Sequence, residues 1–274
     1  MNTKVKQLVQ MITRIHTSID NVEVVMTGDT TFTDGNVICI NTGDPDDPVW
    51  MNAVEAKATH EAGGHIRHSD FDYLNNHCKG LKDPIFDIFN VIEDVRIECC
   101  VIKRFSGCYQ VLANMTTLLF DEQYWVAPDE NTDPLSLISD FLLFGGRSFI
   151  PGQQHLKVHA DTAERIMLRV GAPADVLKEI RSRFSHWPEL KDTQAAVKEA
   201  LHIFGLLGHL LSPTAPSGKN GDEQGESQSG NDAGTGDEQG ESQLGNDAST
   251  GDEQGESQSG NDASTGDEQG ESQS

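Results

Sequence analysis

The sequence is short of basic residues. It has 20 Lys and Arg against 44 Asp and Glu, which gives a formal net charge of −24. Binding to a nucleic-acid backbone requires a basic surface that displaces counterions from the phosphates, so this composition excludes nucleic acid as a partner. Long apolar runs are also missing. The most apolar late segment, LHIFGLLGHLL at 201–211, is too short to cross a bilayer, and we expect no membrane segment.

Cysteines are few and poorly placed for disulfides. There are five, an odd number, none of them in a CxxC spacing, and Cys99 and Cys100 are adjacent. Neighbouring cysteines rarely form a disulfide with each other, so reduced thiols in a cytoplasmic protein are the simplest interpretation. The N-terminal segment agrees, because Val5, Leu8 and Ile12 follow helical spacing and not the continuous apolar run of a signal peptide.

Apolar residues are almost absent from the end of the sequence. Residues 221–274 contain three copies of a 15-residue unit such as GDEQGESQSGNDAST and a shortened fourth, with Leu244 as the one large apolar side chain. They hold 15 of the 44 acidic residues and no Lys or Arg. Such a segment cannot bury enough apolar surface to fold, and a linker rich in Pro and Ser precedes it. We therefore predict one folded domain over 1–211 and a disordered acidic arm over 212–274.

The folded part begins with short strands and continues with helices. VEVVM at 22–26 and NVICI at 37–41 are typical of two short strands, or of a hairpin, with an Asp-Gly turn signal between them. Pro48 and Pro84 each precede a long helical stretch. Further helical patterns lie near 109–122, 134–144, 161–170, 173–186 and 190–211. This order predicts a mostly helical α+β domain with a short strand pair before the helix that carries the candidate site.

The most informative motif is HEAGGH, at residues 60–65. In the HExxH helix of zinc hydrolases the two histidines lie four residues apart, about 40° around the helix axis, so both imidazoles reach one metal ion. Here His60 and His65 lie five residues apart, which is about 140° on an ideal helix. An unmodified α-helix could not bring them to the same ion.

Two local structures would bring possible metal ligands to one face of the helix. They assign different roles to Glu61 and the histidines. A π-bulge would absorb the extra residue, leaving His60 and His65 as ligands and Glu61 as the general base. A regular helix would instead align Glu61, His65 and His68 within about 60°, which would make Glu61 a ligand. We favour the π-bulge, because it supplies a base and because two adjacent glycines inside the motif weaken a regular helix.

A catalytic zinc site also needs a third protein ligand and a position left for water. The next predicted helix carries acidic residues within an apolar sequence, NVIEDVRIE at 90–98. A buried carboxylate is costly unless it is paired or bound to a metal. We choose Glu93 as the ligand, with Asp94 in reserve and Arg96 as an ion-pair partner three residues beyond Glu93. The alternative for these charges is a solvated helix face.

The two motifs resemble those of known metallopeptidases. HEAGGH followed by EDVRIE is similar to the HExxGH and EExRxE pair of the dipeptidyl peptidase III family, in which the same extra residue separates the zinc histidines. The resemblance implies a zincin-like metallopeptidase domain. In that family the second acid of the pair is the ligand, which implies Asp94 here.

A broader resemblance, over about residues 20–105, is to the CobT-like proteins of cobaltochelatase and the nitric-oxide-reductase-activating proteins. These have a strand segment similar to TFTDGNVICI, then an HE motif and an EDxRIE helix. They are often encoded in phage and bacterial genomes beside an AAA+ ATPase, and an acidic linker leads to their C-terminal von Willebrand A domain, which has no counterpart in this sequence. The resemblance implies an AAA+ ATPase as partner.

Two functions follow as hypotheses. The first is a zinc-dependent, peptidase-like hydrolase, in which His60, His65 and Glu93 hold Zn²⁺ and Glu61 takes a proton from the attacking water. Its substrate would be a peptide or a protein. The second is a non-enzymatic, CobT-like partner of an AAA+ ATPase in a chelatase or remodelling complex.

Overall fold

The computed structural model describes residues 3–19, 22–28, 30–81 and 83–211. The predicted disordered arm at 212–274 lies outside these residues. Over the described ranges the chain is an α+β structure and mostly helical, as the sequence predicts. None of the helices in these ranges is both long and apolar enough to cross a membrane.

The helices fill most of the described chain. The α-helices are α1 Thr3–Thr17, α2 Pro48–Ala58, α3 Phe71–His77, α4 Asp83–Arg104, α5 Cys108–Asp121, α6 Pro134–Arg147, α7 Lys157–Arg169, α8 Ala174–Arg183 and α9 Thr193–Leu211. The other helices are a π-helix at Thr59–Ile66, which continues α2, and 3₁₀ helices at Gln154–Leu156 and Phe184–Glu189.

The sheet has three short strands in the order β1, β3, β2, which are β1 Glu23–Met26, β2 Phe32–Thr33 and β3 Val37–Ile40. β1 and β3 occupy the two predicted strand positions, but they pair in parallel, so the hairpin alternative is wrong. The hairpin at the Asp-Gly signal joins β2 to β3 instead, and these two strands pair in antiparallel orientation. Gly35 has a φ of +95° in this turn, and Oδ1 of Asp34 accepts the N–H of Val37.

Two clusters of buried apolar side chains hold the described chain together. The first joins α1, the sheet, α2 and the π-helix around side chains such as Val9, Ile38 and Val54. The second joins α4 to helices α5–α9 around side chains such as Ile92 and Trp187. Burial of this apolar surface is the main stabilising contribution to the fold. The π-helix packs on α4 where the two clusters meet, and this contact carries the candidate site.

Helix α2 begins where the sequence predicts, at Pro48. The side chain of Asp47 accepts the N–H of Val49 over 2.8 Å, which caps the helix, and a proline in the first position needs no partner for an N–H. The helix runs directly into the π-helix, because Thr59 keeps helical backbone angles. The HEAGGH motif is thus fixed to the end of a capped helix.

Candidate metal centre

The HEAGGH motif lies within the π-helix Thr59–Ile66. In a π-helix the hydrogen bonds join residues five apart, so side chains at that spacing lie close together on one face. The imidazole rings of His60 and His65 are accordingly neighbours, with their centroids 5.0 Å apart. The predicted π-bulge is confirmed, and the regular-helix alternative is wrong.

His68, which the regular-helix alternative made a ligand, does not belong to the group of residues around these two histidines that could hold a metal ion. Burial, followed by the charges of Arg96 and Arg67, lowers its pKa to about 4, so its imidazole is neutral at pH 7. Its backbone carbonyl accepts a hydrogen bond from Nη2 of Arg96 over 2.7 Å. His68 therefore helps to anchor the chain that follows the π-helix.

The two glycines of the motif allow close packing on both sides of the π-helix. A Cβ at Gly63 would lie 2.9 Å from Nδ1 of His16 on α1, and a Cβ at Gly64 would lie 2.8 Å from Cδ1 of Ile97 on α4. Both distances are shorter than real Cβ contacts. His16 and Ile97 are themselves buried and have little room to shift. The glycines therefore serve the packing of the π-helix as well as its distorted backbone.

Gly63→Ala is expected to destabilise the protein by about 1–3 kcal/mol, the usual cost of overpacking a core. The new methyl group would press on the ring of His16, which already packs edge-on against Phe105 with 4.8 Å between centroids. Gly205→Ala on α9 is the control, because nothing lies within 4 Å of a Cβ there and alanine has the higher helix propensity. Thermal unfolding should show a lower melting temperature for Gly63→Ala alone; a value equal to that of wild type would contradict the packing.

Three donor atoms converge where the π-helix meets α4. Oδ1 of Asp94 lies 3.3 Å from Nε2 of His65 and 3.5 Å from Nε2 of His60. One ligand atom from each of the three residues lies within 4.8 Å of the others. A tetrahedral zinc ion with bonds of about 2.0–2.1 Å holds its ligand atoms about 3.3 Å apart, so this spacing suits a metal ion. His60, His65 and Asp94 form a group that could hold a metal ion.

Glu93, the third ligand chosen from the sequence, is not part of this group. Its carboxylate is fully buried and pairs with Arg96, Oε1 to Nη2 at 2.6 Å and Oε2 to Nε at 2.8 Å. Thr193 and Ser69 also donate to Oε1 of Glu93. Adjacent residues are about 100° apart around a helix, so Glu93 and Asp94 cannot both face the histidines. The group that could hold a metal ion therefore contains Asp94, the reserve residue, and not Glu93.

Each histidine of the group has a hydrogen-bond partner at its second ring nitrogen. Nδ1 of His60 lies 2.9 Å from Oε1 of Glu98, and Nδ1 of His65 lies 3.0 Å from Oγ of Ser69. A carboxylate acceptor favours the tautomer of His60 with its proton on Nδ1, which leaves Nε2 free to donate electrons to a metal. Because Ser69 donates to Glu93, that carboxylate is connected to His65 through the serine hydroxyl.

A buried arginine holds the carboxylates of α4 in place. Arg147, at the end of α6, donates to Oε1 of Glu98 over 2.5 Å and to Oδ2 of Asp94 over 3.4 Å. Gln153 donates to Oε2 of Glu98 over 2.8 Å. Arg147 and Gln153 were not among the residues predicted from the sequence, because they lie 49 and 55 residues beyond Glu98 and belong to no motif. The four-residue step from Asp94 to Glu98 is a signal that could have identified Glu98.

The site is strongly charged for a buried one. Burial opposes the charged form of His60, but Asp94 and Glu98 outweigh this effect and hold the pKa of His60 well above its usual range. Burial likewise opposes the charge of Asp94, yet His60 and His65 hold its pKa far below the usual value. The group is thus an ion-pair network, in which a divalent cation could supply the positive charge that protons otherwise supply.

Glu61 lies beside the candidate ligands His60, His65 and Asp94, and it lines two cavities. Burial raises the pKa of its carboxyl group, although His60 and His65 oppose this shift. The carboxylate has no hydrogen-bond partner in the part of the chain that the structure describes. His60, Glu61 and Asp94 line both cavities. Glu61 is therefore placed to accept a proton from a molecule bound beside the donors.

The two cavities differ in their remaining walls. The first, here called the Lys57 cleft, has a volume of about 310 Å³ and is completed mainly by Lys57, Met115, Leu119, Tyr124, Trp125 and Arg147. The second, here called the strand cleft, has a volume of about 330 Å³ and is completed mainly by Thr31, Phe32, Thr33, His65, Phe71 and Phe86.

No family model, curated protein or solved structure matches the chain. The resemblances to dipeptidyl peptidase III and to the CobT-like proteins therefore stay predictions, as does the AAA+ ATPase partner. Function has to be inferred from the geometry of the candidate metal centre and its clefts.

Proposed function

We propose that the protein is a zinc-dependent hydrolase with a zincin-like catalytic domain, and that it cleaves peptide bonds. One observation carries the proposal. His60, His65 and Asp94 present one donor atom each at about the spacing of zinc ligands, and Glu61 lies beside them. Asp94 takes the ligand role that the sequence analysis gave to Glu93.

The donor set supports zinc. Two imidazoles and one carboxylate are a ligand set of catalytic zinc, and three protein ligands leave a fourth position for water. A zinc ion held by these residues would lower the pKa of that water toward neutrality and polarise a substrate carbonyl. Iron(II) uses similar donors in oxygenases. The position of Glu61, directly after the first histidine as in HExxH hydrolases, favours zinc.

The surrounding residues have distinct roles in this proposal. Glu61 accepts a proton from the water that attacks the substrate carbonyl. Glu98 and Ser69 orient the two imidazoles, and Arg147 holds Asp94 through its guanidinium. Side chains fixed in this way need little rearrangement during the reaction, which lowers its free-energy barrier.

The strand cleft favours an extended peptide as the substrate. Thr31 and the β2 residues Phe32 and Thr33 line it together with the metal-centre residues. Among the described strands β2 pairs with β3 alone, which leaves its other edge without a strand partner. A peptide can add to such an edge through backbone hydrogen bonds, which would bring one of its carbonyl groups to the metal centre.

Chelator-sensitive peptide cleavage tests the proposal. The full chain is incubated with a mixture of short peptides, and the products are identified by mass spectrometry. We expect cleavage that stops after treatment with 1,10-phenanthroline and returns on adding Zn²⁺ but not Mg²⁺. A protein that holds a full complement of zinc and cleaves no peptide would overturn the assignment as a peptidase.

A further inference from the structure

Lys57 is a cation of the Lys57 cleft that the proposed reaction does not use. It lies in the last turn of α2, three residues before His60, and lines the cleft together with His60 and Glu61. The side chain is half-buried, and burial lowers the pKa of its ammonium group. A partly desolvated ammonium group of this kind gains from an anion placed beside it.

The ammonium group of Lys57 contacts neutral partners. Nζ donates to Oδ1 of Asn41 over 3.0 Å and lies 6.0 Å from the centre of the Tyr124 ring. No carboxylate of the described residues forms an ion pair with it, and Glu122 acts on it through its more distant charge. Because an ammonium group has three donors, Lys57 retains hydrogen-bonding capacity for a ligand.

The arginine that lines this cleft is already engaged. Arg147 donates to Glu98 and Asp94, and its guanidinium carbon lies 5.3 Å from the centre of the Trp125 ring. Its charge is therefore balanced by the carboxylates of α4. Of the described residues that line the cleft, Lys57 is the one whose charge is available to a substrate.

The position of Lys57 determines where a bound anion would lie. Lys57 comes three residues before His60, a rise of about 4.5 Å along an ideal α-helix, and one residue of an extended peptide spans about 3.3–3.6 Å. Because Lys57, His60 and Glu61 line one cleft of about 310 Å³, an anion on Lys57 would lie within about one residue of the bond at the metal centre. Met115, Leu119 and Trp125 form an apolar wall of the same cleft, which suits an apolar side chain.

We propose that Lys57 binds the C-terminal carboxylate of a peptide, so that the enzyme removes one apolar residue from the C-terminus. This inference rests on the proposed hydrolase. The last residue lies in the Lys57 cleft and the preceding residues lie in the strand cleft, because His60, Glu61 and Asp94 line both. Water supplies the hydroxyl group to the carbonyl carbon and a proton to the departing amine, so the reaction needs no other reactant.

The first test compares a peptide acid with its amide. The full chain, loaded with zinc, is assayed with benzoyl-glycyl-phenylalanine and with the same compound amidated at its C-terminus. We expect wild type to favour the acid by about 10- to 100-fold in kcat/KM, the factor for a charge-assisted hydrogen bond. Lys57→Met should lose this preference and Lys57→Arg should recover part of it. Lys178→Met, which alters an exposed lysine of α8, is the control and should keep it.

The second test does not depend on turnover. Binding of N-acetyl-phenylalanine and of its amide to the same variants is followed by NMR, and zinc content and melting temperature are measured on each sample. A preference for the acid that disappears in Lys57→Met, at unchanged zinc content and melting temperature, supports the role of Lys57. Equal binding of acid and amide by wild type, or a preference that survives in Lys57→Met, overturns it.

The two tests separate this inference from the proposed function. Metal-dependent cleavage of acid and amide at equal rates would reject the role of Lys57 and leave the hydrolase standing. Binding that depends on Lys57 and on the free carboxylate, in zinc-loaded protein that cleaves neither compound nor any peptide of the mixture, would reject the hydrolase and support Lys57 as an anion site.

Discussion

Replacing Glu61 with glutamine should leave the metal bound and slow peptide hydrolysis by about 10²–10⁴-fold, the usual contribution of a general base. Glutamine fits the same buried position, but its amide cannot accept the proton of the attacking water. The proposed zinc ligands, His60, His65 and Asp94, are unchanged in this variant. The measurement is kcat on a peptide substrate, with the zinc content of the same sample determined by elemental analysis.

Glu55→Gln is the matched control for this prediction. Glu55 lies on α2, as an exposed residue one and a half turns before the π-helix motif begins, and its substitution should leave hydrolysis unchanged. Hydrolysis by Glu61→Gln at the wild-type rate would contradict the role of Glu61 as a base. Loss of zinc from Glu61→Gln would instead identify Glu61 as a ligand.

Glu93→Ala should destabilise the fold by about 3–5 kcal/mol, the cost of breaking a buried ion pair. The guanidinium of Arg96 would remain buried without its carboxylate, and Ser69 and Thr193 would lose the oxygen to which both donate. Because Ser69 follows the π-helix and Thr193 begins α9, Glu93 connects three segments of the chain. Urea unfolding followed by circular dichroism measures the loss.

A surface ion pair of the same helix provides the comparison. Glu189 pairs with Lys103 of α4 at 3.0 Å, but both side chains are largely exposed. Such a pair contributes about 0–1 kcal/mol, so Glu189→Ala should change stability little. If Glu93→Ala cost no more than Glu189→Ala, the structural role given to the buried pair would be wrong.

The local structure of the candidate metal centre could be predicted from the sequence, because it depends on neighbouring residues. A five-residue step between His60 and His65 suits one face of a π-helix and does not suit an α-helix. The adjacent glycines supported the same conclusion. The starts of α2 and α6 were also predictable, since Pro48 and Pro134 mark them and capping is a local interaction.

The choice between Glu93 and Asp94 depends on contacts across the chain and could not be predicted. The ion pair between Glu93 and Arg96 was expected from their three-residue spacing and is present, but this pair turns Glu93 away from the histidines. Thr193, which also holds Glu93, lies 100 residues further along the chain. Spacing within one helix carries no information about such partners.

The sheet shows the same limit. The segments at β1 and β3 were recognisable as strands from their composition. The partner of each strand, however, depends on the path that the chain takes between the strands. β2 is two residues long, too short to show an alternating pattern, and it is the strand that pairs with β3 in an antiparallel hairpin. This edge strand is also the one that lines the strand cleft.

Elemental analysis of the purified protein tests the central claim, which is that His60, His65 and Asp94 bind a zinc ion. We expect one zinc ion per chain in wild type and in Glu55→Gln, and none in Asp94→Ala, with circular dichroism showing that the variant is folded. Wild-type protein that contains no metal or contains iron, or Asp94→Ala that retains its zinc, would contradict the account.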